Sequence, residues 1–191
     1  ALTRLRQNPS SMRRLMEYYK TNWVDLINDW GMTYDPRSQT EKYTPFILFP
    51  RQKDFVKWVY ESYMESRRGL GEKSRDVGFT WLCAACAACV WLFYPSSVVG
   101  FGSRKKELVD NGDHDPDSIF WKVRTFIDHL PLEFLPPNHE SGRKWGTVPN
   151  LANSSVIKGE IGDEIGRGGR AQPVDSLILT PTGWMEIGDI T

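Results

Sequence analysis

Apolar residues recur at intervals of three and four along three stretches of the chain, the pattern of helices with one buried face. This spacing predicts helices over residues 11–30, 51–68 and 118–130. Gly31 marks the end of the first helix, and Pro131 closes the third. The side chains expected to face inward are Met12, Leu15, Met16, Tyr19, Trp23, Leu26, Ile27 and Trp30 in the first helix, Phe55, Trp58, Val59, Tyr63 and Met64 in the second, and Ile119, Phe120, Val123, Phe126, Ile127 and Leu130 in the third.

A fourth helix is predicted where the chain is apolar on all sides, over Phe79–Phe93, and Pro95 ends it. This stretch is rich in alanine and cysteine, and such a density of small side chains indicates a helix packed close against a sheet. Strands are predicted at 97–102, as a buried strand, and at 153–158. Because strands and helices alternate, the expected fold is an α/β sheet with crossover connections.

The remaining segments are predicted to be irregular, apart from a short extended element at 45–50 and a hairpin at the C-terminal end. Residues 32–44 are polar and form a linker, and residues 45–50 form a short extended element. Residues 104–118 and 138–150 read as loops. The last segment, 171–191, alternates between apolar and polar residues around a Pro-Thr-Gly turn, which predicts a β-hairpin.

Composition and charge narrow the class of protein. The 191 residues carry 24 Lys+Arg and 24 Asp+Glu, so a binder that works through bulk positive charge is excluded and any nucleic-acid contact must be a local patch. Hydrophobic residues make up 40% of the chain, which favours a folded core over disorder. The apolar run at 79–94 is shorter than the roughly 20 residues of a membrane span, and no signal-peptide core precedes it, so we expect a cytoplasmic protein without membrane contact.

The cysteines and histidines give no metal-ligand spacing. All three cysteines fall within seven residues, which fits a reducing compartment better than a disulfide framework. On one side of the apolar helix they could bind a metal, but small packing residues are the simpler interpretation. The histidines lie in polar or terminal surroundings that indicate surface or capping roles. These residues are Cys83, Cys86, Cys89, His114, His129 and His139.

The loop at 69–80 before the apolar helix has the composition of a phosphate-binding loop. A phosphate cradle needs backbone N–H groups at a helix N-terminus, glycine for close approach, a cation and a hydroxyl that binds Mg²⁺. Gly78 supplies the turn, Thr80 the hydroxyl, and Lys73 or Arg75 the cation. The GxxxxGK[ST] pattern is not met, because Phe79 stands where its lysine belongs. The alternative is a solvated basic turn that caps the helix.

At this point the sequence resembles the ATPase half of the large terminase subunit of tailed phages, the motor that packages DNA into a procapsid. Several blocks match in the order of that family, across about residues 20–170. The loop at 73–80 is similar to the deviant Walker A of lambda-type terminases, in which the lysine stands at the front of the loop. The other blocks are 28–30 (NDW), 33–37 (TYDPR), 49–52 (FPRQ), 103–105 (SRK), 117–122 (DSIFWK), 158–163 (KGEIGD) and 166–170 (GRGGR).

The resemblance implies an ATP site with Mg²⁺. By position, Lys73 contacts the β- and γ-phosphates, Thr80 binds the Mg²⁺, and either Arg75 or Arg104 stabilises the developing phosphoryl charge. The remaining residues that it implies lie beside the base or in the loop, namely Arg51, Gln52, Ser74 and Gly78. The fold it implies is an incomplete P-loop NTPase-type α/β sheet with flanking helices.

The sequence departs from the terminase pattern where the Walker B strand belongs. That strand, which ends in adjacent acidic residues, should follow the GRGGR loop directly, and Asp163-Glu164 lacks an apolar strand before it. The chain alone is therefore expected not to hydrolyse ATP. The implied partners are a C-terminal half that carries Walker B and a nuclease, viral double-stranded DNA, and the portal and small terminase of the capsid.

The residues after the GRGGR loop resemble the first block of an intein of the Hint fold. In 171–184 (AQPVDSLILTPTGW) a strand begins about five residues in and turns at a glycine. Counting back makes Ala171 the first intein residue, with Gln172 as its rival, and Arg170 the last extein residue. Since alanine has no nucleophile, splicing would need direct attack on the Arg170–Ala171 amide. The alternative is a hairpin inserted in the motor domain.

The expected organisation has three parts: a helical lead-in with its linker (1–44), the N-terminal part of the ATPase domain (45–170) and an N-terminal Hint segment (171–191). The expected protein is a phage-encoded part of the packaging motor, located in the host cytoplasm and completed by splicing or by a partner chain. One alternative is a catalytically inactive P-loop-like module that docks to a packaging or DNA-translocating partner without splicing. A helicase-type P-loop enzyme is the other, and it would require lysine in place of Phe79.

Overall fold

The computed structural model describes residues 9–74, 77–162, 177–180 and 183–186, and these residues form a mixed α/β fold. Within them, no helix combines the length and the apolar character that crossing a bilayer requires. The helices are α1 (Pro9–Thr21), α2 (Trp23–Trp30), α3 (Pro50–Met64), α4 (Phe79–Phe93), α5 (Lys106–Val109) and α6 (Ile119–Asp128). The strands are β1 (Met32–Tyr34), β2 (Tyr43–Pro45), β3 (Val98–Ser103), β4 (Thr147–Asn150), β5 (Ser155–Ile161), β6 (Leu177–Thr180) and β7 (Gly183–Glu186).

The first predicted helix is broken in two. Asn22 lies between α1 and α2 with non-helical backbone angles, φ −121° and ψ 64°. Its side-chain amide donates to the carbonyl of Tyr18 at 2.8 Å, the type of local bond by which asparagine competes with helical structure. The predicted end is confirmed: α2 stops at Trp30, and the N–H of Gly31 donates to the carbonyl of Ile27 at 2.9 Å.

The predicted linker at 32–44 contains a hairpin, so the prediction of an irregular segment is wrong there. β1 and β2 pair antiparallel, with Met32 opposite Pro45 and Tyr34 opposite Tyr43. The ring of Tyr34 also lies edge-on to Trp121 in α6, with centroids 5.2 Å apart. The extended element predicted at 45–50 therefore contributes only its first residue to a strand. Strands of three residues are too short for alternation to reveal them.

Helix α3 occurs where it was predicted but ends at Met64, and its predicted inward face is confirmed only in part: Phe55 and Val59 pack against the core. Val56 is fully buried, whereas Tyr63 and Met64 are 37% and 52% exposed. The prediction that Tyr63 and Met64 face the core is therefore wrong. Val56 lies on the helix face between Phe55 and Tyr60, both of which pack against the core from its margin.

Helix α4 confirms its predicted bounds and forms the centre of the core. Ala84, Ala85 and Cys89 have no exposed surface. The small side chains let neighbouring elements approach closely, and α4 packs against α6 on one side and against β3 and β5 on another. Helix α6 is likewise confirmed, and the Ser118 hydroxyl caps it by accepting from the N–H of Trp121 at 3.3 Å.

The main sheet has the strand order β3-β5-β4, with β3 parallel and β4 antiparallel to β5. Strand β3 was predicted to be buried, but it lies at an edge of the described sheet and Val98 is 66% exposed. Strand β4 occupies part of the loop predicted at 138–150, and β5 begins two residues later and ends three residues later than predicted. The four-residue strand β4 is positioned by its antiparallel pairing with β5, and the sequence of β4 alone does not reveal that pairing.

The predicted C-terminal hairpin is confirmed over its two strands. β6 and β7 pair antiparallel, with Leu177 opposite Glu186 and Thr180 opposite Gly183. The turn residues Pro181 and Thr182 lie outside the described residues.

Candidate functional site

A cavity of about 250 Å³ lies between α3 and the segment that leads into α4, and is here called the α4 cavity. Its wall combines aromatic rings, two cationic side chains and several residues of the loop that precedes α4. The lining residues are Arg51, Gln52, Phe55, Gly71, Glu72, Lys73, Ser74, Val77, Phe79 and Leu82. Its volume lies just below the roughly 300–1,000 Å³ typical of ligand pockets.

The first turn of α4 adjoins this cavity, and its N-cap residue has no side chain with which to cap it. Gly78 is the N-cap residue, with φ +69°, a left-handed conformation that glycine adopts without strain. Among residues 9–74 and 77–162, no side chain accepts a hydrogen bond from the start of this helix. The first N–H groups of a helix have no partner within the helix and carry its partial positive charge, so this end of α4 suits an anion.

Gln52 connects the two elements that flank the α4 cavity. Its Oε1 accepts from the N–H of Phe49 at 2.9 Å, at the start of α3. Its Nε2 donates to the carbonyl of Val77 at 3.1 Å, immediately before Gly78. One side chain therefore spans from the N-terminus of α3 to the N-terminus of α4.

Aromatic rings form the apolar side of the α4 cavity. The rings of Phe55 and Phe79 pack with centroids 4.9 Å apart. The ammonium group of Lys73 lies 5.9 Å from the centroid of Phe79, within the range of a cation–π contact. Lys73 and Ser74 are exposed, and within the described residues Lys73 forms no ion pair. A cation and a hydroxyl are thus available to a ligand beside an aromatic surface.

The structure brings together four of the residues that the sequence assigned to this site: Arg51, Gln52, Lys73 and Ser74 all line the α4 cavity. Gly78 and Thr80 begin α4 but do not line the cavity, and Arg104 is exposed directly after β3. Arg75, Arg170 and Ala171 lie outside the described residues.

The segment before the loop differs from an ordinary phosphate-binding loop. Such loops connect a strand to a helix. Here the preceding element is α3, and residues 67–74 have no regular structure. In the described residues, the helix that follows the loop is present as α4. The strand that should precede the loop is replaced by α3 and the coil at 67–74.

A second, polar cavity of about 530 Å³ lies beside α6 and contains a buried ion pair that sequence reasoning missed. Arg124 donates to both carboxylate oxygens of Asp110, at 3.0 and 2.8 Å, and to the carbonyl of Gly112 at 2.9 Å. Asp110 also accepts from the N–H groups of Gly112 and Gly146, at 3.1 and 2.8 Å. These four residues are here called the sealed polar cluster. Nothing in the polar run around Asp110 distinguishes it from its exposed neighbours, so no sequence signal reveals the pair.

Hydrogen bonds decide the ionisation of this cluster. Burial alone would raise the pKa of Asp110, but the bonds from Arg124, Gly146 and Gly112 outweigh it and hold that pKa below its usual value. Burial alone would lower the pKa of Arg124, and the bonds to Asp110 reverse this as well. Because all of these bonds are internal, the cluster stabilises the fold and leaves little binding capacity for a ligand.

A group of possible metal ligands, Asp128, His139 and Glu140, borders the same cavity. Nε2 of His139 lies 3.4 Å from Oδ1 of Asp128. Arg143, however, donates to both oxygens of Asp128, at 2.9 and 2.6 Å. A metal ion at this position would have to compete with that guanidinium, so the group is better explained as an ion-pair network.

The cysteines serve as packing residues. Cys86 and Cys89 are buried, and burial raises the pKa of both thiols. Burial also raises the pKa of Cys83 to about 11. The thiols therefore stay protonated near neutral pH, a state that does not react readily. Among the described residues, no cysteine belongs to a group that could hold a metal ion.

No protein-family model matches the chain, and no curated protein matches it.

Proposed function

We propose that the α4 cavity and the first turn of α4 bind ATP with Mg²⁺, and that the chain is the N-terminal part of a phage DNA-packaging ATPase interrupted by an intein. The observation that supports the proposal is the convergence of Arg51, Gln52, Lys73 and Ser74 on one cavity beside the start of α4, where the N-cap residue is glycine. Gln52 and Lys73 are 21 positions apart in the sequence, and only the resemblance to terminases had grouped these residues.

The residues of the site divide by chemistry. Lys73 supplies a positive charge for the phosphates, together with the N–H groups that begin α4. Gly78 permits close approach of a phosphate because it has no side chain, and Thr80 offers a hydroxyl in the first turn. Bound Mg²⁺ would neutralise phosphate charge. Arg51, which is almost fully exposed, and the rings of Phe55 and Phe79 form the side on which a base would lie.

The intein part of the proposal is supported by the β6–β7 hairpin, which lies where the Hint block begins. The scissile amide would join Arg170 to Ala171. After splicing, a partner segment would add the Walker B strand and its acidic residues to the motor domain. The completed protein would then act with viral double-stranded DNA, the portal and the small terminase.

One observation favours the alternative of a non-hydrolysing docking module. The element before the loop is α3 rather than a strand, so the loop lacks one of the two elements that usually fix a phosphate cradle. Such a module would keep its shape without nucleotide and would bind a packaging partner through its surface.

Nucleotide binding by the chain separates the two functions. Isothermal titration with Mg·ATP should detect binding, and Lys73→Ala should weaken it by roughly tenfold or more, because a charge-assisted phosphate contact is lost. Lys57→Ala is the matched control, since Lys57 is exposed on α3 and does not line the α4 cavity. Absence of binding, or equal losses in both variants, would contradict the ATP site and favour the docking module.

The encoding DNA beyond codon 191 tests the intein part. Hint sequence should follow, either in the same frame or in a separate gene, and then an apolar strand ending in adjacent acidic residues. If the acidic strand is encoded without any Hint sequence before it, the intein assignment is wrong and the hairpin is an insertion in the motor domain.

A further inference from the structure

Gln52 is held at both ends of its side-chain amide. The oxygen accepts from the backbone of Phe49 within its own helix, and the nitrogen donates to Val77, 25 residues further along the chain. A side-chain amide that reads a purine edge uses its oxygen and its nitrogen together. In Gln52 both atoms are engaged by the protein itself, so that bidentate contact would break two existing bonds.

The bond to Val77 acts at the point where the loop becomes helix. Val77 precedes Gly78, the N-cap of α4, and the Gly78 carbonyl accepts the first helical hydrogen bond, from Leu82 at 3.1 Å. Fixing the Val77 carbonyl therefore fixes the peptide plane that leads into the left-handed Gly78. That plane sets the direction of the N–H groups that begin α4.

The cavity has other groups that can hold a base without distinguishing one from another. The paired rings of Phe55 and Phe79 offer an aromatic surface, and stacking on such a surface tolerates every base. The guanidinium of Arg51 lies 4.0 Å from Asp54 and is otherwise exposed, so no rigid polar edge is presented by it.

We propose that Gln52 is a positioning residue that fixes the loop against α3, and that the site accepts nucleoside triphosphates with little preference for the base. This inference rests on the proposed nucleotide site. In this inference, Lys73 and the start of α4 recognise the triphosphate and determine which ligands bind. The base only stacks on the aromatic rings. Gln52 then contributes to affinity through the loop and not through contact with adenine.

The test compares Gln52→Met with Gln39→Met in the full chain. Methionine removes both hydrogen bonds at Gln52 without adding charge, and Gln39 is an exposed glutamine outside the cavity. We expect Gln52→Met to weaken the binding of ATP, GTP and inorganic tripolyphosphate by the same factor. The expected loss of affinity is roughly five- to tenfold, the size that one or two exposed hydrogen bonds allow. The ratio of ATP to GTP affinity should stay within about twofold of the unsubstituted chain.

Hydrogen exchange in the protein without nucleotide gives a second readout. The amides of residues 77–80 should exchange about tenfold faster in Gln52→Met, and also in Gln52→Glu, which keeps an acceptor for Phe49 but has no donor for Val77. A change of the ATP-to-GTP ratio beyond fivefold would show that Gln52 reads the base, and unchanged exchange at 77–80 would refute the positioning role. If the unsubstituted chain binds none of the three triphosphates, the proposed function fails, while the exchange result still decides the role of Gln52.

Discussion

The sealed polar cluster and the α4 cavity both place charged side chains beside a loop, yet they differ in how those charges are satisfied. In the cluster, the guanidinium of Arg124 and the carboxylate of Asp110 are almost completely buried and bonded to each other and to backbone groups. In the α4 cavity, Lys73 is exposed and has no acidic partner among the described residues.

This difference separates a structural role from a binding role. Arg124 also forms an ion pair through Nε with the exposed carboxylate of Asp113, at 2.8 Å. A buried charge pair held by so many contacts within the protein can be broken only at a large cost, so it fixes the fold. An exposed cation beside the N-terminus of a helix costs little to maintain and can exchange water for a ligand. Substitutions should therefore affect stability in the cluster and ligand affinity at the cavity.

The largest effect is expected from breaking the buried pair. Arg124→Met should lower the free energy of unfolding by about 3–5 kcal/mol, because it leaves the Asp110 carboxylate buried without its countercharge. Urea denaturation followed by tryptophan fluorescence measures the loss. The double variant Asp110→Leu/Arg124→Met should recover much of it, and a double variant as unstable as the single one would show that packing, not charge, dominates there.

A smaller effect on stability is expected from adding a methyl group at a tightly packed glycine near the cluster. A methyl group at Gly159 in β5 would lie 2.5 Å from Val109 and 2.7 Å from Phe120, so Gly159→Ala should cost about 1–3 kcal/mol. Gly100 in β3 is the matched control, since a methyl group there meets nothing within 4 Å. Equal unfolding midpoints for the two alanine variants would contradict the close packing assigned to this side of the sheet.

Sequence reasoning succeeded where one element carries its own signal. Helix α4 was predicted residue for residue because its apolar run is long and Pro95 ends it. It failed where a neighbour decides the outcome: the three-residue strands β1 and β2 exist through their pairing, and β3 is exposed because it lies at the edge of the described sheet. The break at Asn22 depends on one side-chain bond that periodicity does not encode.

The candidate site shows the same division. Lys73 and Ser74 could be singled out because glycine, cation and hydroxyl in one loop form a recognisable local pattern. The ring pair of Phe55 with Phe79 could not, since the two residues are 24 positions apart and the notion of a shared cavity needs the fold. The bond from Gln52 to Val77 likewise joins residues whose proximity no local pattern predicts.

The smallest effect, and the one that compares the two regions most directly, is a change in how stability depends on pH, which comes in addition to the loss that breaking the buried pair itself causes. The pKa of folded Asp110 lies below its ordinary value of 3.8, despite burial that alone would raise it, because Arg124 and two backbone N–H groups bond to the carboxylate. The ionised form is therefore favoured by folding, so this stabilisation is present above the ordinary carboxyl pKa and is lost as pH falls through the folded pKa.

Asp110→Asn should consequently lower stability at pH 6 and flatten its decline on acidification, measured as urea midpoints between pH 6 and pH 3. Asp54→Asn removes the same formal charge from an exposed carboxylate beside the α4 cavity and should leave that decline unchanged. If both variants flatten the decline equally, general charge repulsion controls acid stability, and the contrast between the sealed cluster and the open cavity does not extend to pH.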